Sequence, residues 1–322
     1  MSKVVVVGGG ASGMMAALAS SKKLNKVILL EKNEKLGKKI YITGKGRCNL
    51  TNACSINDFF SNVITNSKFL YSSIYSLSPD KTMELFNDLG LKLTIERGNR
   101  VFPLSNKASD VTKTLEKALI QNDVDIRLNQ AVLDIIVEND KVVGVLTENG
   151  KIECDKVIIA TGGLSYSSTG STGDGYRFSK KYGHKIVSPK PSLVGVELVD
   201  PDFIKMQGLS LKNVSVKVLI DNKAVYNDFG EMLFTHFGVS GPIILSSSCY
   251  LTHYNLKNAK LIIDLKPALD EETLDDRLIR EFALNKNKSL GNAIRSLVPS
   301  SMVEVIISRA TLNKNKNCSE IT

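Results

Sequence analysis

Near its N-terminus the chain carries Gly8-Gly9-Gly10-Ala11-Ser12-Gly13 and, further on, Glu31. These are residue types suited to gripping a pyrophosphate and a ribose. Gly8 permits a tight turn, Gly10 lets backbone N–H groups approach a diphosphate, and Gly13 lets a helix pack closely on a strand. Ala11 and Ser12 open that helix, where unsatisfied N–H groups and the dipole favour an anion. Glu31 can accept both hydroxyls of an adenosine ribose and would repel a 2′-phosphate. The elements that must position these residues lie around them. Residues 3–7 (KVVVV) read as a strand, an apolar helical run follows the glycines, and residues 26–30 (KVILL) form a second strand ending at the acid. A lone glycine motif is weak evidence, but strand, glycine turn, helix, strand and acid in this order specify a dinucleotide-binding unit.

Four further segments could carry chemistry. Residues 43–52 (TGKGRCNLTN) combine glycines that allow close backbone approach with Arg47, a charged donor for phosphate. A plain surface loop is the alternative. Ala160-Thr161-Gly162-Gly163 ends an apolar strand where ligands sit in open α/β sheets, outside the carboxyl ends of the strands. Residues 170–176 (GSTGDGY) open a helix that ends near Gly183-His184. Residues 230–242 (GEMLFTHFGVSGP) place His236 in a polar, glycine-flanked loop, with Pro242 where it can begin a helix. A solitary histidine is more often structural than catalytic. His236 is nonetheless the candidate for proton transfer near neutral pH.

Composition bounds the answer. At 322 residues, 43% apolar and 23% charged, this is the profile of an ordinary globular protein with room for about two domains. The sequence has no apolar run long enough to span a membrane and enters a strand within a few residues, so a cytoplasmic location is expected. The net charge of +9 invites a nucleic-acid reading. The lysines, however, are scattered in pairs such as Lys22-Lys23, Lys38-Lys39 and Lys180-Lys181, with no arginine stripe and no Trp. Nucleic-acid binding is therefore not expected, and Lys32 and Lys39, near the first site, are assigned to cofactor phosphates. Cys48, Cys54, Cys154, Cys249 and Cys318 form no CxxC, and the three histidines do not cluster with them. No metal site or disulfide framework is expected.

The expected fold class is α/β. A Rossmann-like domain over residues 1–191 combines a parallel sheet with a β-meander (132–137, 142–147 and a third strand, with turns at Asn139-Asp140 and Asn149-Gly150). Residues 156–160 (KVIIA) read as a strand buried on both faces. Residues 192–322 form a second domain, β-rich over about 193–265 and helical from about 270, with helices near 272–284, 289–297 and 300–310.

Taken together, residues 8–13, Glu31, 44–52, 100–103 (RVFP), 160–163, 170–176 and 230–242 resemble the bacterial BaiN/RdsA-like FAD-dependent oxidoreductase family. The resemblance implies FAD as the bound dinucleotide and an insert domain between two portions of the FAD domain. It also implies that Gly46, Arg47, Cys48, Asn49 and Thr51 approach the cofactor, and that Val132 lies near the adenine or ribose. The Thr235-His236 loop would help roof the flavin. Members continue past the helical insert and supply a glycine–acid motif at the flavin. This chain, ending at Thr322, is expected to be truncated. Gly230-Glu231 follows Asn227-Asp228-Phe229 and is a poor substitute.

The function expected is transfer of a hydride or electron pair between a small organic substrate and NAD(P)H or oxygen. Reduction of a conjugated carbon–carbon double bond and oxidation of an amine both remain open. Without a second dinucleotide fingerprint, NAD(P)H would be a diffusible donor reaching the flavin through the substrate cleft. Two alternatives stand. One is a thiol–disulfide oxidoreductase, disfavoured by the Cys48–Cys54 spacing. The other is a non-catalytic FAD- or RNA-binding protein. The sequence does not indicate an oligomeric state.

Overall fold

A computed structural model describes residues 1–22 and 25–321, so Lys23, Leu24 and Thr322 lie outside the described residues. The chain divides into two compact units, Met1–Val187 and Ser188–Thr322.

The first unit begins with β1 (Lys3–Val7), α1 (Ala11–Ser21) and β2 (Lys26–Leu30). Then come β3 (Thr51–Asn52), α2 (Ile56–Ser61), α3 (Tyr71–Ser76), α4 (Pro79–Asp88), β4 (Leu93–Glu96), β5 (Arg100–Pro103) and α5 (Ala108–Gln121). It closes with β6 (Asp125–Arg127), β7 (Val132–Glu138), β8 (Lys141–Thr147), β9 (Gly150–Glu153), β10 (Lys156–Ile159) and α6 (Asp174–Lys181). A parallel sheet runs β10-β1-β2-β6. Because side chains alternate along a strand, its two faces feed two cores. Val4, Val6, Val27 and Leu29 pack with Met14 and Leu18 of α1 and Leu115 and Leu119 of α5. Val5, Val7, Ile28 and Leu30 pack against Ile135 and Val145 of the antiparallel meander β7-β8-β9. Burial on both faces is why β1 and β2 are almost wholly apolar.

β10 departs from the sequence expectation. It is an edge of the parallel sheet, and Ile159 remains 40% exposed although the strand is apolar. Ile158 is only partly buried against the α1 side and Val157 against the meander. An edge strand has a neighbour on one side only, so an apolar run does not by itself secure burial.

The second unit comprises β11 (Val196–Glu197), α7 (Asp202–Lys205), β12 (Ser210–Ile220), β13 (Lys223–Phe234), β14 (Gly238–Ser240), α8 (Pro242–Leu251), β15 (Ala259–Asp264), α9 (Glu271–Leu284), α10 (Leu290–Ala293) and α11 (Ser300–Arg309). Its antiparallel sheet runs β11-β14-β13-β12-β15. Val214, Val216 and Val218 of β12 meet Met232, Phe234 and Ile244 in the core, with Met302 and Val305 from α11. Pro242 occupies the first turn of α8, where its fixed φ suits a helix start. Gly230-Glu231 lies inside β13, paired with β12 through Val214↔Gly230, rather than in a loop. An added Cβ at Gly230 would come within 2.7 Å of Ile243, so the glycine lets α8 approach the strand.

Candidate functional site

The carboxyl ends of β1, β2 and β10 open into a crevice of about 520 Å³. Its lining includes Gly8, Gly10, Ala11, Ser12, Glu31, Lys32, Lys39, Val132, Ala160, Thr161 and Gly162. The backbone explains why these positions meet. Gly8 has φ +107°, and a Cβ there would sit 2.5 Å from the Ala160 carbonyl oxygen. A Cβ on Gly13 would sit 1.7 Å from the Gly8 carbonyl oxygen, so only glycine lets α1 start so close to β1. Gly13 is therefore buried behind the crevice rather than in its lining.

Gly10 differs from both. An added Cβ there meets nothing within 4 Å. It is the N-cap of α1 and makes no side-chain cap bond, and the first turn holds no acidic residue. The first N–H groups of the helix thus face the crevice without a carboxylate to compete for them. This arrangement suits a diphosphate.

Glu31, only 7% exposed, directly follows β2. Its carboxylate accepts the Gly9 N–H at 2.6 Å and the Asn33 N–H at 2.8 Å. Apolar Leu30, Val132, Leu133 and Phe178 form the neighbouring wall, suited to an adenine face.

The strap from Thr161 to Asp174 is tied across to the residues after β2. Lys32 Nζ donates to Thr172 at 2.8 Å and to the Asp174 carboxylate at 2.9 Å. Lys39 Nζ donates to the Ser165 carbonyl at 2.7 Å and to Ser171 Oγ at 2.7 Å. Thr161 Oγ1 accepts the Gly175 N–H at 3.0 Å. Burial alone would raise the Asp174 carboxyl, but bonds from Lys32 and Thr172 and the charges of Lys32 and Arg177 outweigh it and hold it below its ordinary range.

Other candidate residues lie outside the crevice lining. Arg47 pairs with Glu96, donates to Asn106 at 2.8 Å and stacks on Phe102 at 4.1 Å. Its hydrogen bond holds the Glu96 carboxyl below the usual range. Cys48 is buried at φ +60°, and burial pushes its thiol up against a smaller opposing bond with Thr43. The Asn49 amide, oriented to donate, reaches the Thr51 and Val101 carbonyls at 3.0 and 3.2 Å. Thr51 pairs with Val101 at the start of β3. Gly46 is exposed at φ +86°, and Gly163 is half-buried with Tyr176 Oη 3.3 Å from where its Cβ would be. His236 belongs to the second unit, exposed at the tip of the β13–β14 hairpin and edge-on to Phe237 at 5.1 Å. Sequence reasoning did not single out Asn33, Gln130 or Arg177, which also line the crevice.

No helix among the described residues is long and apolar enough to cross a membrane. The described residues contain no cluster of three or more His, Cys, Asp or Glu placed to hold a metal ion.

Comparison with known proteins agrees with this architecture. Residues 2–243 match the HI0933-like protein Rossmann domain, and residues 190–322 match the HI0933-like protein barrel and H2TH domain. A 3-dehydro-bile acid delta(4,6)-reductase from Clostridium scindens is 27% identical over 92% of this chain and 71% of its own length. A ribosomal RNA dihydrouridine synthase from Escherichia coli is 28% identical over 87% of this chain and 66% of its own, and one from Haemophilus influenzae is 26% identical over 87% and 68%. The chain thus spans about two thirds of these relatives' length. With the Rossmann model matched from β1 through β14, the chain belongs to the HI0933-like protein family, the BaiN/RdsA-like FAD-dependent oxidoreductases that its motifs resemble.

Proposed function

We propose that this chain binds the ADP half of FAD in the crevice and acts as a reductase of a carbon–carbon double bond conjugated to a carbonyl. The observation that carries the cofactor reading is the open space at Gly10 beside an uncapped helix N-terminus, with Glu31 across from it. The substrate class is supported by the relatives. A delta(4,6)-reductase acting on a 3-dehydro acid and a dihydrouridine synthase both name the saturation of such a double bond.

FAD, when bound, would supply the hydride for this two-electron reduction. The chain's own residues would bind and orient. The N–H groups at the start of α1 receive the diphosphate, Glu31 the ribose, and the wall of Leu30, Val132 and Phe178 the adenine. Ala160, Thr161 and Gly162 border the same crevice from the end of β10. Lys32 and Lys39 pin the strap and add positive charge beside the phosphates. Arg47, with Gly46, Cys48, Asn49 and Thr51 of the same segment, and separately Gly163 stand as further cofactor contacts in this proposal, and His236 as the donor of the proton that completes the reduction. NAD(P)H is the proposed diffusible electron source and a small unsaturated carbonyl compound the proposed partner, within a cytoplasmic setting.

The test is a reconstitution. The chain is loaded with FAD, reduced anaerobically with NADPH, and mixed with an α,β-unsaturated ketone while the flavin spectrum is followed. Return of the oxidised spectrum with formation of the saturated ketone is expected. Reduction of the flavin by a primary amine, with no response to the ketone, would overturn the reading in favour of amine oxidation. His236→Ala should lower turnover while leaving FAD affinity and spectrum unchanged; unchanged turnover removes the histidine from the scheme.

A further inference from the structure

Glu31 follows directly on β2 with most of its carboxylate already engaged by protein donors. Oε2 accepts the Gly9 N–H at 2.6 Å. Oε1 accepts both the Asn33 backbone N–H at 2.8 Å and Asn33 Nδ2 at 2.6 Å. An ionised carboxylate offers about four lone-pair positions on its two oxygens. Three donors from the chain leave about one.

Asn33 cannot easily release its share. Its Nδ2 also donates to the Thr169 carbonyl at 3.2 Å, and its Oδ1 accepts from Lys38 Nζ at 3.3 Å. The backbone on either side is pinned as well. The Glu31 N–H donates to the Arg127 carbonyl at 2.9 Å, and the carbonyls of Glu31 and Asn33 accept from Gln130 at 2.9 Å and Asn129 at 3.0 Å. Lys32, between them, is directed to Thr172 and Asp174. The amide of Asn33 is therefore held against Glu31 from both sides.

We infer that Asn33 is a specificity-determining positioning residue of this site. By occupying a second position on Oε1, it leaves Glu31 able to accept from one hydroxyl of a ribose, so the two hydroxyls of the sugar are read unequally. The inference rests on the crevice taking the ADP half of a dinucleotide. It narrows the expectation that Glu31 serves both hydroxyls, because a diol donates twice only where two acceptor positions face it. Glu31 is nearly buried, so the unmade bond is not simply exchanged for bulk water, and the inequality should reach binding.

Titration calorimetry of the full chain with ADP, 2′-deoxy-ADP and 3′-deoxy-ADP tests this. One deoxy analogue should bind about tenfold or more weakly than ADP and the other within about threefold of it, since a bond to a charged acceptor is lost in one case only. Asn33→Ala, which frees a position on Oε1, should bring the two losses within about threefold of each other, with thermal unfolding as in the parent. Asn33→Val, which likewise carries no side-chain donor, gives a second route to the same comparison where the alanine variant folds poorly. Equal losses for both analogues in the parent, no loss for either, or an inequality that survives Asn33→Ala overturns the inference while leaving the ADP site in place. Failure of ADP to bind the folded parent overturns the site and this inference together.

Discussion

Gly10 and Gly13 sit at the two ends of the first turn of α1, yet side chains added there would meet different things. At Gly13 the obstacle is the Gly8 carbonyl, 1.7 Å from the new Cβ, and backbone cannot step aside. Gly13→Val should therefore push α1 off β1 and yield unfolded or insoluble protein without flavin. At Gly10 the space is open and the φ of −77° is ordinary, so Gly10→Val should fold with near-parental thermal stability but lose ADP. Circular dichroism paired with ADP calorimetry separates the two. A Gly10 variant that binds ADP as the parent does would remove the diphosphate from this end of the crevice. Thr112 offers a residue-scale test of a different kind. It is 2% exposed, and its hydroxyl has no hydrogen-bond partner among the described residues. Thr112→Val removes a buried polar atom that costs about 1–3 kcal/mol when unsatisfied, so the midpoint in urea should rise. A fall in the midpoint would mean that the hydroxyl has a partner in solution.

At the scale of elements, the strap between β10 and α6 depends on partners distant in sequence. Asp174 opens α6 and bonds Lys32, and its folded carboxyl lies below the ordinary value of 3.8. A depressed carboxyl stabilises the fold above its unfolded pKa and loses that contribution as pH falls from about 3.8 through the folded value. Asp174→Asn should cost at most about 1 kcal/mol near pH 7, as for a partly exposed pair, and the difference from the parent should shrink below about pH 4. Amide exchange across residues 165–175 should quicken at neutral pH in the variant. A pH-independent difference would mean that the charge of Asp174 contributes nothing to the effect. These ties also mark where the sequence stops being informative. β1, the glycine turn, α1, β2 and Glu31 are consecutive, so periodicity and turn chemistry reveal them together. The meander is legible for the same reason, although only the turn at Asn139-Asp140 falls where the sequence puts it; the second is Glu148-Asn149, with Gly150 already paired to Thr147 at the start of β9. Lys32–Asp174 and Arg47–Glu96 are contacts between remote segments that no local pattern encodes. Asn33 leaves no local signature because it acts through a bond to its neighbour Glu31 and another to Thr169. β10 misled because an apolar strand looks alike at the centre of a sheet and at its edge.

At the scale of the whole molecule, each unit closes its own hydrophobic cores. The first packs residues such as Leu29 and Leu119 on one sheet face and Ile28 on the other, while the second packs Val216 and Ile244 around its antiparallel sheet. Cores that do not share side chains can melt as separate cooperative units. Calorimetric unfolding should therefore resolve two transitions. Leu29→Ala, at a side chain with no solvent exposure, should lower one of them, and Ile244→Ala, equally buried, the other, each by about 2–5 kcal/mol. The crevice draws its lining from the first unit. ADP at about a hundred times its dissociation constant should then stabilise by about 2.7 kcal/mol the transition that Leu29→Ala lowers, and leave the other in place. A single transition that both substitutions and ADP move together would show that the two units fold as one. ADP raising only the transition sensitive to Ile244→Ala would move the nucleotide site out of the crevice altogether.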